Sequence, residues 1–181
     1  MTVAASAPEF SRPLPIDTIG SDGRTQRHIE ADEGECAALA QRLGLQGLSG
    51  FVADLTVDRL AGGEILAAGR VVADAVQTCV VTLEPVPAHV DEAFEVRFTT
   101  RDEIEPRERD IGPDDEEPPE LLAGDALDLG ELAAQQLALA LDPWPRLPDA
   151  ELPAEARPDP ARDGPFAALA ALRAGLSDEN G

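Results

Sequence analysis

From residue 48 to residue 100 the chain keeps a period of two. Phe51, Ala53, Leu55 and Val57 alternate with Val52, Asp54, Thr56 and Asp58. Further on, Val90, Phe94, Val96 and Phe98 alternate with Asp91, Glu95 and Arg97. Successive side chains of a strand point to opposite faces, so this pattern demands a sheet with one buried and one wet face. Ala61-Gly62-Gly63-Glu64 supplies a hairpin turn. The spacing predicts strands over 48–57, 65–73, 76–83 and 90–98, with Pro85 and Pro87 stopping the third. Strands joined by such short connections form an antiparallel meander, curled toward a barrel, and helices must cover one face.

Two helices can be read from their caps. Asp32 is a good N-cap and Glu35 lies three residues on, as a capping box requires. Cys36, Leu39, Ala40 and Leu43 then mark one face, and Gly44 ends the helix. Asp128 and Glu131 repeat the same start. Leu129, Leu132, Ala133, Gln136, Leu137, Ala140 and Leu141 form the stripe, and Pro143 ends it. Trp144, between Pro143 and Pro145, is expected to pack back on the core. A third helix is predicted to open at Gly164-Pro165, with Phe166, Leu169, Ala170, Leu172 and Leu176 on its face. Before the sheet, residues 10–19 fit an edge strand that tolerates Pro13 and Pro15, residues 21–23 a turn, and 24–29 a short strand. The expected fold is α+β: an antiparallel sheet or partly closed barrel of about five or six strands, packed against two or three helices.

At 181 residues this is one domain plus tails, or two very small domains. We expect a disordered start over 1–9, a single domain over 10–176, and a tail over 177–181. Aromatics make up only 3%, so Leu, Val and Ala must fill the core. No apolar run approaches the roughly 20 residues that cross a bilayer, and the N-terminus lacks the pattern of a signal peptide. The expected location is the cytoplasm.

The chain carries 36 acidic residues and 14 basic ones, every basic one Arg, for a net charge of −22. Residues 102–125 concentrate this imbalance, with eleven acids against two arginines and four prolines. That stretch cannot bury enough apolar surface to offset its ordering entropy, so it is expected to be a mobile acidic loop. A surface of this sign repels phosphate backbones and anionic lipid, and it favours a basic protein partner. DNA and membrane partners are not expected. Asp114, Asp115, Glu116, Glu117 and Glu120 are the candidate partner-binding residues.

Little in the chain points to catalysis. There is no glycine-rich phosphate loop and no nucleophile elbow. The paired acids at 114–117 fall in a segment without a rigid site, where nothing tunes a carboxyl pKa. Cys36 and Cys79 make no disulfide framework, and with His28 and His89 they show no zinc spacing. Both histidines are expected at the surface. No enzyme activity, metal or cofactor is expected.

Three stretches in order resemble the YceD family, which is linked to accumulation of large-subunit ribosomal RNA. In many members a CxxC is followed by Leu, an acid and Pro. Cys79, Leu83, Glu84 and Pro85 match it here, with Thr82 at the second cysteine. The family's Asp-Leu-Gly-Glu helix, ending at Pro, resembles Asp128, Leu129, Gly130, Glu131 and Pro143. Its closing Pro-Phe resembles Pro165 and Phe166. The likeness covers roughly residues 10–175. Many members carry a second cysteine pair after the helix, where this chain has Arg146 and Pro148. The departure implies that a zinc site built from such pairs is absent here. The resemblance implies a non-enzymatic factor supporting 23S ribosomal RNA accumulation and ribosome biogenesis. The charge adds a basic ribosomal protein or assembly factor as partner. Direct binding of ribosomal RNA by an Arg-bearing face is the alternative.

Overall fold

The computed structural model describes residues 8–19, 24–100 and 118–152. The chain divides into two compact units, 1–147 and 148–181, and every helix and strand described belongs to the first. Its strands are β1 (Pro13–Pro15), β2 (Thr25–Glu30), β3 (Gly47–Arg59), β4 (Ile65–Thr78), β5 (Pro85–Thr99), β6 (Glu120–Leu121) and β7 (Ala126–Asp128). The helices are α1 (Glu33–Leu43) and α2 (Leu129–Ala140).

A five-stranded sheet runs in the order β2-β3-β4-β5-β6, and β1 pairs separately with β7. The long alternating stretch forms its centre. Phe51, Ala53, Leu55 and Val57 of β3 are buried, as are Ile65, Ala67, Val71, Ala73 and Ala75 of β4. The register of β3 on β4 slips between Ser49 and Val52, where Gly50 takes a φ of +60°. β3 and β4 are joined at Ala61–Glu64 by the expected turn.

Three expectations are corrected. The sheet is mixed, not purely antiparallel, because β6 runs parallel to β5 through Phe98–Glu120 and Thr99–Leu121. Parallel neighbours need a connection of about a dozen residues or more, and the stretch between β5 and β6 provides that length. The sheet is also open rather than closed into a barrel, with β2 and β6 at its ends. The third correction concerns residues 76–83. β4 continues to Thr78, and Cys79 lies in the turn that follows, not on a strand. Pro85 and Pro87 begin β5 rather than stopping a strand. They pair only with β4, at an end of β5 that β6 does not reach, so their missing N–H groups interrupt no central ladder.

α1 carries the capping box as read: Asp32 accepts from the Glu35 amide, Glu35 accepts from the Asp32 amide, and Gly44 closes the helix in the left-handed conformation. The helix rests on β3 and buries Cys36, Leu39 and Ala40. α2 packs against β4 and β5 and buries Leu129, Leu132, Ala133, Ala134 and Leu137. The Phe10 and Phe51 rings meet at a 58° tilt with centroids 5.4 Å apart, and the Arg12 guanidinium sits 4.6 Å from the Phe10 ring centre. Each fully buried Leu or Phe side chain among these contributes about 1.5–3 kcal/mol. Among the described residues no helix is long and apolar enough to cross a membrane. The helix expected after Pro165 lies outside the described residues.

Candidate functional site

The two motif stretches among the described residues have different structural roles. In Asp128-Leu129-Gly130-Glu131 each residue has a structural task. The Asp128 carboxylate accepts the amides of Gly130 and Glu131 at 3.0 and 3.2 Å, and also the Arg12 amide at 2.8 Å and the Ser11 hydroxyl. One side chain therefore caps α2 and ties the N-terminal segment to it. Partial burial works against the charge of Asp128, but the hydrogen bonds from Ser11, Arg12, Glu131 and Gly130 prevail and hold its pKa below the ordinary value.

Leu129 is buried and donates its amide to the Arg12 carbonyl at 3.0 Å. Gly130 lies so close to Phe10 that a Cβ would overlap the Phe10 carbonyl group. Glu131 does not return to its own N-cap, as a capping box would require. It forms a two-point pair with Arg42 at the end of α1. That guanidinium lowers the Glu131 pKa, and the pair raises that of Arg42. Arg42 also meets Glu9 at 3.0 Å.

The middle motif is the turn between β4 and β5. The Cys79 amide donates to the Glu84 carbonyl at 2.8 Å, and the Leu83 amide donates back to the Cys79 carbonyl at 3.0 Å. The Thr82 amide points at the Cys79 sulfur, 3.5 Å away. The loop after α2 braces this turn from the side. Val80 donates its amide to the Pro145 carbonyl at 2.9 Å, and Gln77 Nε2 donates to the Asp142 carbonyl at 2.8 Å.

Cys79 is completely buried. The Thr82 hydroxyl, the Leu147 amide and the amides of Thr82 and Val81 lower its thiol to about 6 from the ordinary 9.0, outweighing burial. Cys36 is the opposite case: burial pushes its thiol up. The Cys79 sulfur thus accepts hydrogen bonds from both the turn and the following loop. Among the described residues no three Cys, His, Asp or Glu side chains gather as metal ligands.

Three large apolar side chains on and beside this braced turn are exposed. Leu83 is 73% exposed, Val80 49% and Trp144 75%. The expectation that Trp144 packs on the core is therefore corrected. Its amide bonds to the Asp142 carboxylate at 2.8 Å, and the neighbouring Pro145, not Trp144, is the buried residue. Leu83 has a φ of +64°, and every other described residue with positive φ is glycine.

Pro85 opens β5, and Pro143 is exposed in the loop after α2. Of the acids expected to bind a partner, Glu120 lies exposed on β6. Asp114, Asp115, Glu116 and Glu117 fall outside the described residues, as does Phe166. His28 and His89 lie on the outer sheet face, each 2.7 Å from an aspartate, Asp54 and Asp74 respectively. Sequence reasoning missed the exposure of Val80, Leu83 and Trp144. The signal available was the pair of prolines around Trp144, which restricts how that loop folds back.

No curated protein and no solved structure matches the chain. A family model described as "Large ribosomal RNA subunit accumulation protein YceD" matches residues 67–173. The match spans the braced turn, α2 and more than half of the 181 residues. The chain belongs to the YceD family.

Proposed function

We propose that this protein is a non-enzymatic factor that supports accumulation of large-subunit ribosomal RNA, and that it acts by binding a basic ribosomal protein or assembly factor. Membership of the YceD family supports the first half. The second half rests on one observation: among the described residues, four arginines are already ion-paired within the fold. Arg12, Arg24, Arg42 and Arg70 pair with Glu35, Asp58, Glu131 and Asp91. Arg27 and Arg59 donate to backbone carbonyls. With a net charge of −22, such a surface offers little to a phosphate backbone and much to a basic protein.

The acidic segment at 102–125, with Asp114, Asp115, Glu116, Glu117 and Glu120, is the proposed electrostatic attractor. Its pull on a partner weakens as salt screens it.

Two experiments test the reading. Deleting the gene should lower the ratio of large-subunit to small-subunit ribosomal RNA, and an unchanged ratio would reject the role. Tagged protein should then retain its partner after nuclease treatment. Nuclease-sensitive capture, with tight binding of purified protein to naked ribosomal RNA at physiological salt, would favour direct RNA binding instead.

A further inference from the structure

We propose that Val80, Leu83 and Trp144 form the anchoring surface on which a basic polypeptide docks, its apolar side chains seated on these three and its Lys or Arg side chains facing Glu84 and Asp142. This rests on the basic-partner reading above and supplies the surface that reading lacks.

The three residues come from two segments that are hydrogen-bonded to one another. The Val80 amide is bonded to Pro145, the neighbour of Trp144, and Leu83 stands on the same tight turn as Val80. All three are large, apolar and about half exposed or more. Scattered exposed leucines need no explanation, but here a valine and a leucine on one turn and a tryptophan on the loop that braces it are all exposed.

The backbone at Leu83 strengthens the case. The chain places glycine at Gly44, Gly50, Gly62, Gly63 and Gly124, the other described positions with positive φ. If position 83 served only to turn the chain, glycine or asparagine would do so without steric strain. A leucine there, with its side chain in solvent, runs against both backbone preference and hydration. The hydrogen bonds around Cys79 hold the turn in place, so little ordering would remain to be done on binding. Tryptophan is also among the residues enriched at the energetic centres of interfaces.

Charge selects the occupant. Glu84 is adjacent to Leu83 and Asp142 is bonded to the Trp144 amide, and both are exposed. A second copy of this chain would bring the same acids, and its own charge of −22, against the patch. A nucleic acid would bring phosphates to the same rim. A basic segment with an aliphatic or aromatic anchor satisfies both the apolar centre and the acidic edge.

The test uses the full-length protein and individually purified large-subunit ribosomal proteins and basic assembly factors, each immobilised, with naked 23S ribosomal RNA as a further probe. Leu83→Asn keeps a residue that tolerates the left-handed conformation while removing the apolar side chain. Trp144→Ala removes the chain's single tryptophan from an exposed position. Circular dichroism and melting temperature verify that both variants fold.

The expected result is that wild type binds at least one basic protein and that each variant loses about tenfold or more in affinity, as truncation of an interface anchor does. On binding, Trp144 emission in wild type should shift to the blue, read against a tryptophan-free partner. Variants that bind as well as wild type would overturn the surface while leaving the basic partner standing. A wild type that binds none of the proteins would overturn both. A dimer seen by sedimentation and abolished by Leu83→Asn would assign the patch to a second copy and overturn the proposal. So would binding of naked RNA that is lost in the same variants.

Discussion

Arg42, in the last turn of α1, grips Glu131, in the first turn of α2, through two parallel contacts of 2.8 and 2.7 Å. Each charge also sits at the helix end whose dipole it complements. Both groups keep some solvent exposure, so Glu131→Gln should cost only about 1 kcal/mol. The pH dependence has a definite sign. The folded-state pKa of Glu131 is lowered, so its contribution is present above the ordinary glutamate value of 4.5 and disappears as pH falls through the folded value. Chemical denaturation at neutral and acidic pH should show wild type and variant converging in acid.

Asp128→Ala should be more damaging than a usual cap removal. A lost N-cap costs about 1–2 kcal/mol. Here the same carboxylate also holds the Arg12 amide and the Ser11 hydroxyl. Hydrogen exchange should therefore speed up both at the start of α2 and around residues 11–15. Faster exchange confined to α2 would show that the link to the N-terminal segment carries no stability.

Leu137→Asp should unfold the first unit. Leu137 is fully buried on the face of α2 that meets the sheet. An unpaired carboxylate there costs several kcal/mol, comparable with the whole stability of a small domain. A native far-ultraviolet spectrum with a cooperative melt would disprove that packing.

Cys79 should titrate near 6 in the folded protein, seen as thiolate absorbance that Cys79→Ala removes. The folded value is depressed below 9.0, so its stabilisation grows as pH rises from about 6 toward 9 and is lost as pH falls through 6. Cys79→Ala should flatten this rise in melting temperature. Cys36 does not interfere, because burial moves its titration above 9.0. Protein purified without a histidine tag is expected to carry no stoichiometric zinc, which metal analysis will check.

The parts of the fold legible in the sequence are those set by local chemistry. The Asp32–Glu35 box, the Gly44 cap, the turn at 61–64 and the alternation in β3 all follow from neighbours close in the chain. Residues 79–83 mislead because Cys79, Val80, Val81 and Thr82 all suit a strand. Contacts from Pro145 and Leu147, far along the chain, accompany a turn there instead. β6 has two residues and no pattern to read. Glu131 looked like half of a capping box, but a distant arginine claims it. Trp144 follows the same logic: size argues for burial, while the loop between two prolines buries Pro145 in its place.

The pairing of β1 with β7 also constrains how the molecule is made. Residues 13–15 meet their partners only at 126–128, and Arg12 meets Asp128 across the same interval. During synthesis the N-terminal segment leaves the ribosome first, yet β1 has no strand to pair with until most of the first unit has emerged. Contacts of such long sequence separation close late and slowly. A nascent chain stalled before residue 126 would hold an assembled β3–β4–β5 ribbon with β1 still unpaired, so protease should cut the N-terminal segment until α2 is released.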